Sequence, residues 1–159
     1  MITPRRNHKV GVLNNMLYAV GGYDDQEMHN CVERYCPYTN SWTQVADMWI
    51  RRDGPLIGVV DGIMYVFGGS HEISEGKFLQ SGEAYDPNTD MWSPMPDMLF
   101  VRDRAVMVTQ GHLLYVLGGE VELSKALVFD TKTKVLSVLP DTMLASKRCF
   151  GGVVAEKIT

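Results

Sequence analysis

A pair of glycines at the end of an apolar run recurs three times in this chain, and no other feature limits its fold as tightly. The stretches are "LYAVGGYDDQE", "MYVFGGSHEIS" and "LYVLGGEVELS". The pairs Gly21-Gly22, Gly68-Gly69 and Gly118-Gly119 lie 47 and 50 residues apart, and Tyr18, Tyr65 and Tyr115 each stand three residues ahead of one. Glycine has no Cβ, so a glycine pair closing a strand marks a bulge or a close approach of backbone. A period of this length points to stacked, equivalent units.

A second block follows each pair: "ERYCPYTNSW" from Glu33, "EAYDPNTDMW" from Glu83 and "LVFDTKTKVL" from Leu127. These align without a gap. Tyr35, Tyr85 and Phe129 form one column, and Trp42, Trp92 and Leu136 another. Met48, Met98 and Met143 come next, and basic residues open the following unit: Arg51-Arg52, Arg102 with Arg104, and Lys147-Arg148. Arg5, Arg52 and Arg102 each precede a glycine pair by sixteen residues.

Each unit holds four short segments, in the second "LIGVV", "IMYVFGG", "GEAYD" and "MWSPM". Asp61-Gly62 predicts a tight hairpin between the first two. "DPNTD" predicts another between the last two, with Asp86 free to bond the backbone ahead. Cys36 stands where the other units have Asp86 and Asp130, which weakens one turn. Helical periodicity over eleven or more residues is missing. Each unit is therefore expected to be a four-stranded antiparallel sheet.

Together these columns resemble the kelch motif, in register over nearly the whole chain. The third unit is the most divergent, with leucine in the tryptophan column. The resemblance implies an all-β kelch β-propeller whose blades are four-stranded sheets, with strands A to D running from the axis outward. The expected repeats are 1–48, 49–98 and 99–143, with an incomplete unit over 144–159, all within one partial propeller spanning 1–159. The glycine pairs, Tyr35, Tyr85, Phe129, Trp42 and Trp92 are expected to be scaffold. Propellers close with roughly 4–8 blades. Three blades plus the first strand of a fourth are expected to be a fragment, half of a six-bladed ring. The alternative is self-association of two copies through uncovered blade faces.

Bulk properties narrow the function. The chain has 159 residues, 45% hydrophobic and 21% charged, as soluble globular chains have. No run approaches the ~20 apolar residues of a membrane span, and "MITPRRNHKV" lacks the apolar run of a signal peptide. Three cysteines, Cys31, Cys36 and Cys149, argue against a disulfide framework and for a reducing, cytoplasmic setting. A net charge of −4 argues against general nucleic-acid binding.

Antiparallel geometry puts the B–C loops and the D-to-A corners on one face. Seven of the eight arginines fall in those corners: Arg5, Arg6, Arg51, Arg52, Arg102, Arg104 and Arg148. The B–C loops are acidic, with Asp24, Asp25, Glu27, Glu72, Glu75, Glu120 and Glu122. Two readings stand: the arginines offer forks to a partner's carboxylates or phosphates, or they pair with Asp53, Asp103 and the loop acids. The resemblance is to the kelch portion of BTB–kelch proteins, some of which contact acidic degrons through corner arginines. That role carries by position to Arg52 and Arg102, and less directly to Arg104. Arg5, Arg51, Tyr23, His71 and Phe78 complete the expected partner-binding set. Trp49 and Phe100 either join it or tuck between blades.

No enzyme chemistry is legible. His29, Cys31 and Cys36 in "HNCVERYC" suggest a metal site, but strand residues five apart face opposite sides. No nucleophile elbow, phosphate loop or helix-borne metal motif occurs, and Cys149 reads as a buried thiol. No cofactor or metal is expected. The expected function is a protein-interaction module, resembling the substrate-recognition part of a BTB–kelch adaptor for a cullin-based ubiquitin ligase. Acidic peptides are the expected ligand, and the cullin contact belongs to segments outside this chain. An actin-binding or cytoskeletal scaffold is the alternative, and an enzyme on a kelch propeller is the more distant one.

Overall fold

The computed structural model describes residues 1–72, 77–102, 104–119 and 125–140. These residues form twelve strands in three four-stranded antiparallel sheets. Blade 1 contains β1 (Lys9–Leu13), β2 (Met16–Val20), β3 (Val32–Cys36) and β4 (Ser41–Val45). Blade 2 contains β5 (Leu56–Val60), β6 (Ile63–Phe67), β7 (Gly82–Asp86) and β8 (Met91–Met95). Blade 3 contains β9 (Ala105–Gln110), β10 (Leu113–Gly118), β11 (Leu127–Asp130) and β12 (Val135–Val138). No helix occurs among the described residues. The expected all-β class and sheet composition are thus observed, while the incomplete unit over 144–159 lies outside the described residues.

Turn chemistry sets the strand order. Asp61 and Gly62 have φ of 51° and 75°, and Asn14 and Asn15 have 51° and 60°. Two successive positive-φ residues give the two-residue hairpin that matches strand twist. In the outer hairpins the Asp86 carboxylate accepts from the Asn88 N–H at 2.9 Å, and Asp130 accepts from Lys132 and Thr133 at 2.8 and 3.1 Å. In blade 1 the Cys36 thiol takes that place. Hydrogen bonds from the Thr39 hydroxyl and amide hold its pKa below the ordinary thiol value.

Packing between sheets follows strand alternation. One face of blade 2, including Met64, Tyr85 and Trp92, covers Leu13, Tyr18 and Val20 of blade 1. Its other face, including Tyr65, Phe67 and Ala84, covers Met107, Leu114 and Phe129 of blade 3. Tyr18 meets Tyr85 with ring centroids 5.9 Å apart, and Tyr65 meets Phe129 at 6.1 Å. Each such side chain contributes about 1.5–3 kcal/mol when removed from water. The innermost strands β1, β5 and β9 approach one another, so the sheets fan outward from them. Gly58 permits that approach, since a Cβ there would lie 2.6 Å from Leu114 Cδ2.

The glycine pairs end strand β2 and its counterparts where the chain must turn against the next corner. Gly21 has φ +62°, and a Cβ on it would stand 2.4 Å from the Arg52 carbonyl oxygen. The Gly22 amide donates to that same oxygen at 2.8 Å. Backbone therefore fills the space a side chain would need.

Candidate functional site

The corner before blade 2 shows what the recurrent arginines do. Arg52 is fully buried. Its Nε and Nη2 donate to Glu83 Oε1 at 3.2 and 3.0 Å, and Nη1 donates to the carbonyls of Gly68 and Ser81 at 2.8 and 2.9 Å. Nη2 also reaches Ser81 Oγ at 3.0 Å. The same carboxylate accepts the Trp49 and Ile50 amides at 2.7 and 3.3 Å. One buried ion pair thus ties a corner, a strand end and a loop together. Burial lowers the Arg52 pKa, and Glu83 works against that fall.

Blade 1 repeats the device. Arg5 Nη1 donates to the Gly21 and Cys31 carbonyls at 3.0 and 2.9 Å, and Nη2 to Glu33 Oε1 at 2.6 Å. Glu33 accepts the Ile2 and Thr3 amides at 2.5 and 2.9 Å. Burial alone would raise the Glu33 pKa, but these amides and the Arg5 fork outweigh it and hold the carboxyl below its usual value. In blade 3, Arg102 is buried and donates to the Gly118 carbonyl at 3.2 Å and to the Lys125 carbonyl. Leu127 occupies the column of Glu33 and Glu83 there, and burial lowers the Arg102 pKa.

Arg5, Arg52 and Arg102 therefore do not present their forks to a partner, contrary to the sequence expectation. The reason is local. Each strand that ends in a glycine pair leaves carbonyl oxygens without ladder partners, and the guanidinium has five donors to satisfy them. The constant spacing of sixteen residues to the glycine pair was the signal, because the arginine bonds the carbonyl of that glycine in every blade. Glu33 and Glu83 were missed as partners, although each opens its repeat block.

The other corner arginines among the described residues are exposed. Arg6 pairs with Asp25 and lies over the Tyr23 ring at 5.2 Å. Arg51 pairs with Glu27 at 2.7 Å. For these two residues the loop acids do supply partners. Arg104 and His71 are exposed, while Tyr23 and Phe78 are half-buried. The Phe78 backbone bridges to Ser70, which bridges to Asp53 of the corner, so this loop and corner lie side by side. Asp103, Glu75, Glu120, Glu122, Lys147, Arg148 and Cys149 lie outside the described residues.

Trp49, left open between solvent and core by the sequence, belongs to an exposed row whose other members, Ile2 and Leu99, were not singled out. Ile2, Trp49 and Leu99 occupy one repeat column and are 63%, 64% and 48% exposed. The amides of Ile2 and Trp49 are fixed by buried carboxylates, so their side chains are held outward. Phe100 instead packs against the core between blades 2 and 3. Among the described residues, no group of three or more His, Cys, Asp and Glu side chains gathers as a metal site would.

Comparison with known proteins agrees with this architecture. The model of the Kelch motif family matches residues 4–48 and 51–99, more than half of the chain. The chain belongs to the kelch family. It is 36% identical over 69 residues to an F-box/kelch-repeat protein of Arabidopsis thaliana, covering 43% of this chain and 17% of that protein. It is 38% identical over 75 residues to Kelch-like ECH-associated protein 1A of Danio rerio, covering 45% and 12%. Kelch-like protein 21 of Bos taurus matches 59 residues at 37% identity, covering 37% and 10%. The matched stretches thus span a small part of each relative's length. The solved structure of YjhT superposes with a TM-score of 0.77 at 19% identity, over 90% of this chain and 54% of that one, which shows the shared fold. The kelch repeats and kelch-like relatives make this chain a protein-interaction module.

Proposed function

We propose that this kelch module captures an extended segment of a partner protein on the face formed by its D-to-A corners and B–C loops. The observation that carries this reading is the exposed column Ile2, Trp49 and Leu99, whose backbone is pinned in blades 1 and 2 by buried carboxylates. Large apolar side chains held rigidly in water act as anchors, because little entropy is lost when a partner covers them. Arg6, Arg51 and Arg104 are exposed corner cations, and a partner carboxylate exchanging with the loop acids Asp25 and Glu27 on the first two favours a segment with acidic residues flanking apolar ones. The reading also assigns His71, Tyr23 and Phe78 of the B–C loops to this face. In this reading no bond is made or broken, and the module works as the substrate-recognition part of a BTB–kelch adaptor. Its likeness to kelch-like relatives supports that role.

Selection of a displayed random peptide library against the chain tests this proposal. Enriched peptides should combine apolar and acidic residues, and their affinity should fall about 30-fold on Trp49→Ala, the size of a single hot-spot loss. Peptides that bind Trp49→Ala and Leu99→Ala chains as well as the parent would overturn the proposal.

A further inference from the structure

The two interfaces between blades are built on the same columns but filled differently. At the first, Trp92 of blade 2 donates its indole N–H to the Ala46 carbonyl at 2.8 Å, and Asp90 accepts the Ala46 amide at 2.9 Å. On the facing strand of blade 1, Arg34 lies opposite Tyr18 in the sheet register. At the second interface the tyrosine is kept and the other four residues change. Leu136 replaces Trp92, Lys134 replaces Asp90, Pro96 replaces Ala46, and Ala84 stands opposite Tyr65 where Arg34 stands opposite Tyr18. Pro96 has no amide hydrogen to give, and leucine has no donor for its carbonyl.

Two of these replacements, leucine for Trp92 and alanine for Arg34, remove volume from opposite sides of one seam. A cleft of about 360 Å³ lies there, lined by Ile63, Tyr65, Ala84, Met95, Pro96 and Lys134 among others. That is near the lower end of the range for ligand sites, suited to a side chain or two. The cleft shares no residue with the corner face described above, so it does not depend on the proposal for that face.

We propose that this cleft is a second docking site, for a partner segment carrying an aromatic residue beside an acidic one. The aromatic ring takes the place that the Trp92 indole takes at the first interface. Tyr65, Ile63 and Met95 supply its apolar walls, and the ring's own donor, where it has one, meets the Pro96 carbonyl. The acidic group meets Lys134, which lies over the Tyr65 ring at 5.4 Å and is exposed. Asp86 also lines the cleft as an anion, its Oδ1 turned to the Asn88 amide and side chain at 2.9 and 3.0 Å. Lys134 is the cation among the lining residues, and its Nζ donates only a long bond, 3.4 Å, to the Tyr65 hydroxyl, which a ligand carboxylate can replace. The first interface carries the opposite arrangement, an arginine on blade 1 and Asp90 on blade 2, and its seam is closed by Trp92.

The test is a nuclear magnetic resonance titration of the chain with N-acetyl-tryptophanyl-glutamate amide, alongside the alanyl-glutamate analogue. The tryptophan compound should shift the Ala84 and Met95 methyl signals saturably, and the alanine analogue should bind at least tenfold more weakly. Lys134→Ala should weaken the tryptophan compound several-fold. Leu136→Trp and Ala84→Arg each refill the seam with the residue of the first interface, from opposite sides. Either variant, if folded, should abolish the shifts, so failure of one to fold leaves the other to decide. Saturable binding that survives refilling, shifts confined to other residues, or no saturable shift would overturn the proposal.

Discussion

Arg51 and Arg52 are joined by one peptide bond, yet they belong to different regions of the molecule. Arg52 lies on the inner side of the corner, buried and hydrogen-bonded through all its nitrogens. Arg51 lies on the outer side, more than half exposed and paired with Glu27. The inner side repeats from blade to blade at fixed spacing. The outer side varies, with Arg51 giving way to Val101 and Trp49 to Leu99. What recurs in register holds the blades, and the proposed recognition falls on the outer residues that vary.

The sharpest way to break that comparison is Arg52→Ala. It strands the Glu83 carboxylate in the interior, which costs about 3–5 kcal/mol, and urea unfolding should show the loss. Trp92→Leu copies blade 3 into the first interface. It should cost about 2–3 kcal/mol, by lost burial and the lost bond to Ala46, and its unfolding midpoint should fall between those of Arg52→Ala and the parent. On the outer side, Trp49→Ala should leave stability within about 0.5 kcal/mol of the parent while removing about 2 kcal/mol of peptide binding.

Acid sharpens the comparison from another direction. The folded Glu33 pKa is depressed, so its contribution is complete above the unfolded value, ~4.3 for glutamate, and is lost as pH falls through the folded one. Stability should therefore decline on acidification below that value, and Glu33→Gln should flatten the decline while lowering stability at neutral pH. The smallest effect belongs to Arg51→Ala, an exposed pair worth about 0–1 kcal/mol. Its unfolding curve should nearly overlay that of the parent.

Much of the fold was legible because its signals are local. Asp61-Gly62 announces a hairpin by backbone preference alone, and the glycine pairs announce close approach. The tyrosine and tryptophan columns announce packing between sheets. The candidate site was less legible, because direction was at stake. A guanidinium in a corner reads as a surface charge until the carbonyls that need donors are located, and those belong to residues at varied distances, such as Ser81 and Lys125. Trp49 and Phe100 show the same difficulty. Both are aromatic corner residues one position apart in the repeat, and that single step sends one to solvent and the other to the core. Nor does a leucine in the tryptophan column reveal by itself that Ala84 and Pro96 change with it and open a cleft.

The most direct test is hydrogen exchange at the arginine Nε–H groups, followed by nuclear magnetic resonance in the intact chain. If the inner arginines are scaffold, the Arg52 Nε–H exchanges far more slowly than those of Arg51 and Arg6. An Arg52 Nε–H that exchanges as fast as that of Arg51 would contradict the account.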